Sequence, residues 1–250
     1  MLFISYSPLS QFAVYAMVAF DFFKSCIIIT NMTSTIAIVF FNAIAVIWFQ
    51  ITELRLYLKK VQYYFESIGT FMYDLVFVQV KIKGVKYYPM LFTLFLSILL
   101  LNIISLFPYS FAVTSHFVWS MSMSLSICLG IFFLGLIKHK LDYFKLFLQD
   151  IPLLLYPLMT AIELASYVIR AFSLAIRLSA NIMAGHILVD IIGEVVTYLN
   201  YYMMDIAIIV IILLISLFFL EIGVACLQAY VFCLLLSLYL NDAVNLPVHI

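Results

Sequence analysis

The chain has 250 residues, of which 67% are hydrophobic and only 10% charged, and its mean hydropathy is +1.23. Soluble domains carry about 25% charged residues to keep their surface in water, so a water-soluble fold is excluded and the solvent for most of this chain is a bilayer. Twelve Lys and Arg balance twelve Asp and Glu, leaving no basic footprint for nucleic acid; Cys26, Cys128, Cys226 and Cys233 are dispersed through apolar runs without C-x-x-C or metal-ligand spacing and read as packing residues.

Residues 1–20 hold no Lys or Arg, so neither the basic start of a secretory signal nor the Arg-rich face of a mitochondrial transit peptide is expected there. An organelle protein of this sequence is expected to be made in place or to have lost a presequence. No charge occurs from Ser25 to Thr52, which places a first span at 27–49. Leu54, Leu58, Val61, Phe65, Ile68, Met72 and Leu75 then follow a 4-3 spacing, with Arg55, Lys59, Gln62 and Glu66 between them. This is one apolar helix face, and it predicts an amphipathic helix over 53–75 lying in the headgroup region. The stretch 87–137 has no charge beyond His116 and is too long for one crossing; Pro108 breaks it into a hairpin of spans at 89–107 and 117–137. Lys138, His139, Lys140, Asp142, Lys145 and Asp150 form a short exposed connector, and Pro152 and Pro157 stand where a new helix begins. Two long apolar helices follow, over 151–199 and 206–240.

The expected fold is thus an all-α integral membrane protein, one membrane domain over 1–250. It comprises an N-terminal span, an interfacial amphipathic helix, a transmembrane hairpin and a long, strongly tilted antiparallel helix hairpin. About 35 residues in each long arm make roughly 52 Å of helix against a hydrocarbon core of roughly 30 Å, so neither arm can stand upright. Six basic residues (Arg55, Lys59, Lys60, Lys81, Lys83, Lys86) lie between the first two spans and three (Lys138, Lys140, Lys145) follow the third. The positive-inside rule puts both connectors inside, the N-terminus outside and the C-terminus inside.

Within or at the ends of the long arms sit Glu163, Arg170, Arg177, His186, Asp190, Glu194, Glu221 and Asp242. A charge at mid-bilayer costs on the order of 2.5–3.5 kcal/mol even on the lenient insertion scale, so such residues usually face a partner or a water path; for any one of them, a structural ion pair or snorkelling explains as much. Their spacing is informative. Glu163, Arg170 and Arg177 recur every seven residues on one helix face, with Asn181 a turn further, while His186 points to the opposite side. In an antiparallel hairpin, facing residues share a midpoint; Glu163 with Asp242, Arg177 with Gln228, and His186 with Glu221 all centre between Tyr202 and Met204, where Asn200–Asp205 suits a turn. Arg177 would then face a neutral amide, with a Glu/Asp pair about 21 Å to one side along the helix and a His/Glu pair about 13 Å to the other.

These residues carry a resemblance. Ile162-Glu163-Leu164-Ala165-Ser166-Tyr167, Arg170 and Ser173-Leu174-Ala175-Ile176-Arg177-Leu178-Ser179-Ala180-Asn181-Ile182-Met183-Ala184-Gly185-His186 resemble the signature of subunit a of F-type ATP synthases. So do Asn102-Ile103-Ile104-Ser105-Leu106-Phe107-Pro108-Tyr109, the stretch from Leu220-Glu221 through Gln228 to Phe232, and Tyr239-Leu240-Asn241-Asp242. Ser7-Pro8-Leu9-Ser10-Gln11-Phe12 resembles the mitochondrial branch. The resemblance implies a proton-translocating stator subunit of the mitochondrial inner membrane, with its N-terminus to the intermembrane space and C-terminus to the matrix. Implied partners are a ring of subunit c, peripheral-stalk subunit b, small membrane subunits and lipid. It implies that His186 and Glu221, with Asn102, serve one half-channel, that Glu163 and Asp242 serve the other, and that Arg177 divides them, with Gln228 and Asn181 beside it. Asp190 and Glu194 stand where apolar or small residues are usual. No cofactor or metal is implied, and no G-x-x-x-x-G-K-[ST] loop is present, so nucleotide is expected to bind elsewhere. A respiratory cytochrome would need paired intramembrane histidines; a secondary transporter, with internal repeats and discontinuous helices, is the alternative reading.

Overall fold

Hydrocarbon leaves backbone amides no partner but one another, which favours helices, and helices dominate the computed structural model, which describes residues 12–22, 25–51, 59–107, 110–140, 143, 156–202 and 204–245. In order these are strands β1 (Ala16–Phe22) and β2 (Ser25–Thr30), then helices α1 (Asn31–Ile51), α2 (Lys59–Val80), α3 (Tyr88–Ser105), α4 (Phe117–His139), α5 (Tyr156–Tyr202) and α6 (Met204–Val244). Among the described residues four stretches are long and apolar enough to cross a membrane: Gly84–Ser105, Phe117–His139, Leu158–Asn200 and Ile206–Val244. The chain gathers into two compact units, one of Met1–Ala43, Ser97–Ser120 and Arg177–Gln228, the other of Ile44–Leu96, Met121–Ile176 and Ala229–Ile250.

The long apolar helices agree with an all-α membrane protein, and the first unit adds one short β-hairpin to it. β1 and β2 pair antiparallel from Ala16 opposite Thr30 to Phe22 opposite Ser25, so residues 27–30, expected to open the first span, are strand. Ile27, Ile28, Ile29 and Thr30 are all β-branched and lose rotamer freedom in a helix. The helix starts where capping begins: Thr30 Oγ1 accepts from the Thr33 amide at 3.3 Å and Thr33 Oγ1 from the Thr30 amide at 2.9 Å, a reciprocal cap. Asn31 Nδ2 donates to Ala13 O at 3.2 Å, and its Oδ1 accepts from the Tyr15 amide at 3.2 Å. α1 is seated by Val39, which packs with Leu101, Phe111 and Val113. α3 ends at Ser105, where the Ser110 hydroxyl donates to Phe107 O at 2.7 Å.

In the second unit the expected amphipathic face appears on α2, shifted and extended: Met72, Val76 and Val80 are buried while Phe71, Tyr73, Asp74, Phe77 and Val78 are exposed. Residues 52–58, including Leu54 and Leu58, lie outside the described residues. Three helix ends meet here. Asn245 Nδ2 donates to Val80 O at 3.0 Å, and Lys138 Nζ to Val244 O at 3.0 Å, so side-chain donors satisfy carbonyls that a helix C-terminus leaves open. The connector after α4 is not wholly exposed: Tyr143 is 1% exposed, over Gly135 and edge-on to Phe132 at 5.6 Å. Burial pushes its phenol above the usual range, and the Asp242 carboxylate adds to this. Of the cysteines, Cys128 and Cys233 are buried as expected, but Cys226 is exposed.

A Cβ on Gly135 would stand 2.3 Å from Tyr143 Cε2, a clash with a rigid ring. Gly135→Ala is therefore expected to destabilise the subunit by about 1–3 kcal/mol, read as a lowered thermal unfolding midpoint in detergent.

Candidate functional site

α5 buries one stripe, with Ala171, Leu174 and Ala175 in the second unit and Leu178, Ser179 and Ile182 in the first. Arg177 and Asn181 lie off that stripe and are exposed. Among the described residues no ion pair or hydrogen bond meets the Arg177 side chain. The expected pairing of Arg177 with Gln228 is corrected by one turn: Asn181 Nδ2 donates to Gln228 Oε1 at 3.3 Å, with Gln228 4% exposed. A buried amide bonds best to another amide, whereas guanidinium is always charged and avoids an apolar interior without an anion.

Glu221 is brought against α5 at Gly185, the residue before His186. A Cβ on Gly185 would lie 2.7 Å from Glu221 Oε1, so the missing side chain is what lets the carboxylate rest against α5. Beside it opens a cavity of about 240 Å³ lined by Asn181, Gly185, Glu221, Leu106, Leu188 and Leu220, among others. His186 is half-buried, with Asp190 one turn along within electrostatic reach. Asn102 is fully buried and its Nδ2 donates to Ala225 O at 3.4 Å, one turn from Glu221. Six polar atoms in this unit are buried with no protein partner among the described residues: Asn102 Oδ1, Thr114 Oγ1, His116 Nε2, His186 Nε2, Glu221 Oε1 and Gln228 Nε2.

In the second unit Asp242, half-buried, lies within electrostatic reach of Arg170 and Glu163. Arg170 stands over the Tyr239 ring, 5.8 Å from its centroid, a cation–π distance. Tyr167 packs against Tyr239 at 5.9 Å and donates its hydroxyl to Cys128 O at 3.2 Å. Arg170 thus belongs to the Glu163 and Asp242 group. The aromatic support from Tyr143, Tyr167 and Tyr239 was not singled out from sequence; the i, i+3 spacing of Tyr167 with Arg170, and of Tyr239 with Asp242, was the available signal.

Apolar helices of this length, carrying half-buried titratable groups inside each unit, define a multi-pass membrane protein. The family model described as ATP synthase A chain matches residues 29–241. The chain belongs to that family, the membrane proton-channel subunits that work with the c-ring and other membrane-sector subunits and are not themselves catalytic.

The Gly185 contact generates a test. Gly185→Ala is expected to leave assembly intact, because the flexible Glu221 chain can move, yet to lower ATP-driven acidification of inverted vesicles on the order of tenfold by displacing the carboxylate. Glu221→Asp, one methylene shorter, should restore part of the loss in the Gly185→Ala background. Wild-type pumping by Gly185→Ala would remove any role for that contact.

Proposed function

We propose that this chain is the stator subunit of a mitochondrial F-type ATP synthase and supplies two offset proton half-channels to a c-ring, separated by Arg177. The observation that carries the reading is the group of buried polar atoms of His186, Glu221, Gln228 and Asn102, without partners among the described residues, in the unit whose cavity Glu221 lines. Burying a polar group without a hydrogen bond costs several kcal/mol by hydrocarbon transfer, so fixed, unsatisfied donors and acceptors in an apolar helix pair suit a path that water and protons occupy.

On this reading protons enter by Glu221 and His186 and neutralise a ring carboxylate that then turns through lipid. They leave by Glu163 and Asp242, with Arg170 and its tyrosines holding that exit. Arg177 is exposed, as are Ala180, Asn181 and Ala184 on the same side of α5, a surface that a ring of apolar helices can cover. Its guanidinium keeps its proton at any working pH, so it draws a ring carboxylate into the ionised form and repels protons that would leak between the half-channels. Each charge moved supplies about 2.3 kcal/mol per 100 mV. Histidine on α5 with glutamate on α6, and the Ser7–Phe12 stretch, support the mitochondrial inner membrane; the basic connectors support a matrix-facing C-terminus. Subunit b and small membrane subunits are the further partners. α5 and α6 are unbroken over 47 and 41 residues, which disfavours a transporter built on discontinuous helices.

Arg177→Ala is expected to abolish ATP-driven proton pumping while the complex still assembles, and Arg177→Lys to restore little of it. Pumping at the wild-type rate in an assembled Arg177→Ala complex would overturn the reading.

A further inference from the structure

The segment before β1 takes no part in either half-channel as described, yet it delivers an aromatic ring to one of their residues. Phe12 and His186 stand with ring centroids 6.2 Å apart and planes at 89°, an edge-to-face contact. Both residues are half-buried. The contact is built from a rigid footing. α1 is packed through Val39, and Asn31 at its first turn grips the chain next to Phe12 by the two side-chain bonds to Ala13 and Tyr15 and by its own amide, which donates to Tyr15 O at 3.1 Å. Two groups stand at the imidazole, Asp190 from its own helix and the apolar ring of Phe12. The first can exchange a proton; the second cannot.

We propose that Phe12 is a positioning residue of the proton path: it covers one side of the His186 ring, limits the direction from which water reaches it and holds the imidazole in one orientation. The proposal rests on His186 lying on that path. A loose imidazole can rotate and take protons from any side, whereas one clamped edge-on by an aromatic ring keeps a single approach.

The test uses the assembled complex and diethyl pyrocarbonate, with modification of each histidine read by peptide mass spectrometry. Phe12→Ala is expected to raise the modification rate of His186 by about three- to tenfold, as for the loss of an edge-to-face ring pair, and to lower proton pumping. Phe12→Tyr, which keeps the ring, should retain wild-type behaviour. Asn31→Ala, which leaves both rings in place but frees the segment, should raise the His186 rate as well. His116, whose ring lies 5.2 Å from Phe111 in the same unit, is the internal control and should not change. An unchanged His186 rate in both Phe12→Ala and Asn31→Ala overturns the proposal, as does an equal rise at His116, which would mean general loosening. Proton pumping by His186→Gln separates the two readings: if it stays at the wild-type rate, the proton-path assignment of His186 fails, while the modification rates still decide whether Phe12 shields the ring.

Discussion

A polar group in hydrocarbon has nothing to bond to except the protein itself, and the features of this chain follow from how that constraint is met. Backbone groups meet it locally, as helices. Helix ends meet it with side chains: Lys138 and Asn245 donate to the carbonyls of Val244 and Val80, and Thr30 with Thr33 caps α1. Among the described residues the constraint is left unmet at Asn102, Thr114, His116, His186, Glu221 and Gln228 in the first unit and at the Tyr239 hydroxyl in the second, and of these Glu221 lines the cavity.

Close approach is the second requirement, because apolar burial does not drive helices together in lipid and association there relies on packing and hydrogen bonds. The buried stripe of α5 contains Ala171, Ala175 and Ser179, and that of α6 contains Ala225 and Ala229. Small side chains let backbones near one another, and at Gly185 the absence of any side chain admits a carboxylate. The same property that packs the helices thus positions the Glu221 carboxylate.

The remaining flanks of α5 and α6 are apolar and exposed, with only 6% of the most apolar stretch of either buried against the rest of the chain, compared with 50% in Gly84–Ser105. Lipid or another apolar subunit is their complement, and membership of the ATP synthase A chain family makes the c-ring the natural one. Arg177, exposed and unpaired among the described residues, lies on such a flank. A cation without a partner among the described residues fits an anion brought by another chain.

Much of this was legible in the sequence because it depends on single residues and their spacing. Hydropathy placed five spans, and four stretches among the described residues are long and apolar enough to cross a membrane; the 3-4 period pointed to the inward face of α2, and the shared midpoint of polar pairs lies close to the α5 and α6 register, in which Gly185 against Glu221, Asn181 against Gln228 and Arg170 against Tyr239 all centre between Tyr202 and Asp205. The miss was one helical turn, at Arg177, since polarity alone does not say which of two neighbours will accept burial. What only the tertiary structure decided involves segments distant in the chain. The strand at 25–30, Tyr143 tucked over Gly135, the grip of Asn31 on the residues beside Phe12, and the Phe12 ring on His186 each depend on shape and hydrogen-bond geometry between particular surfaces. Periodicity reports which way a side chain faces; close packing, which is sensitive to a single methyl group, determines what it meets there.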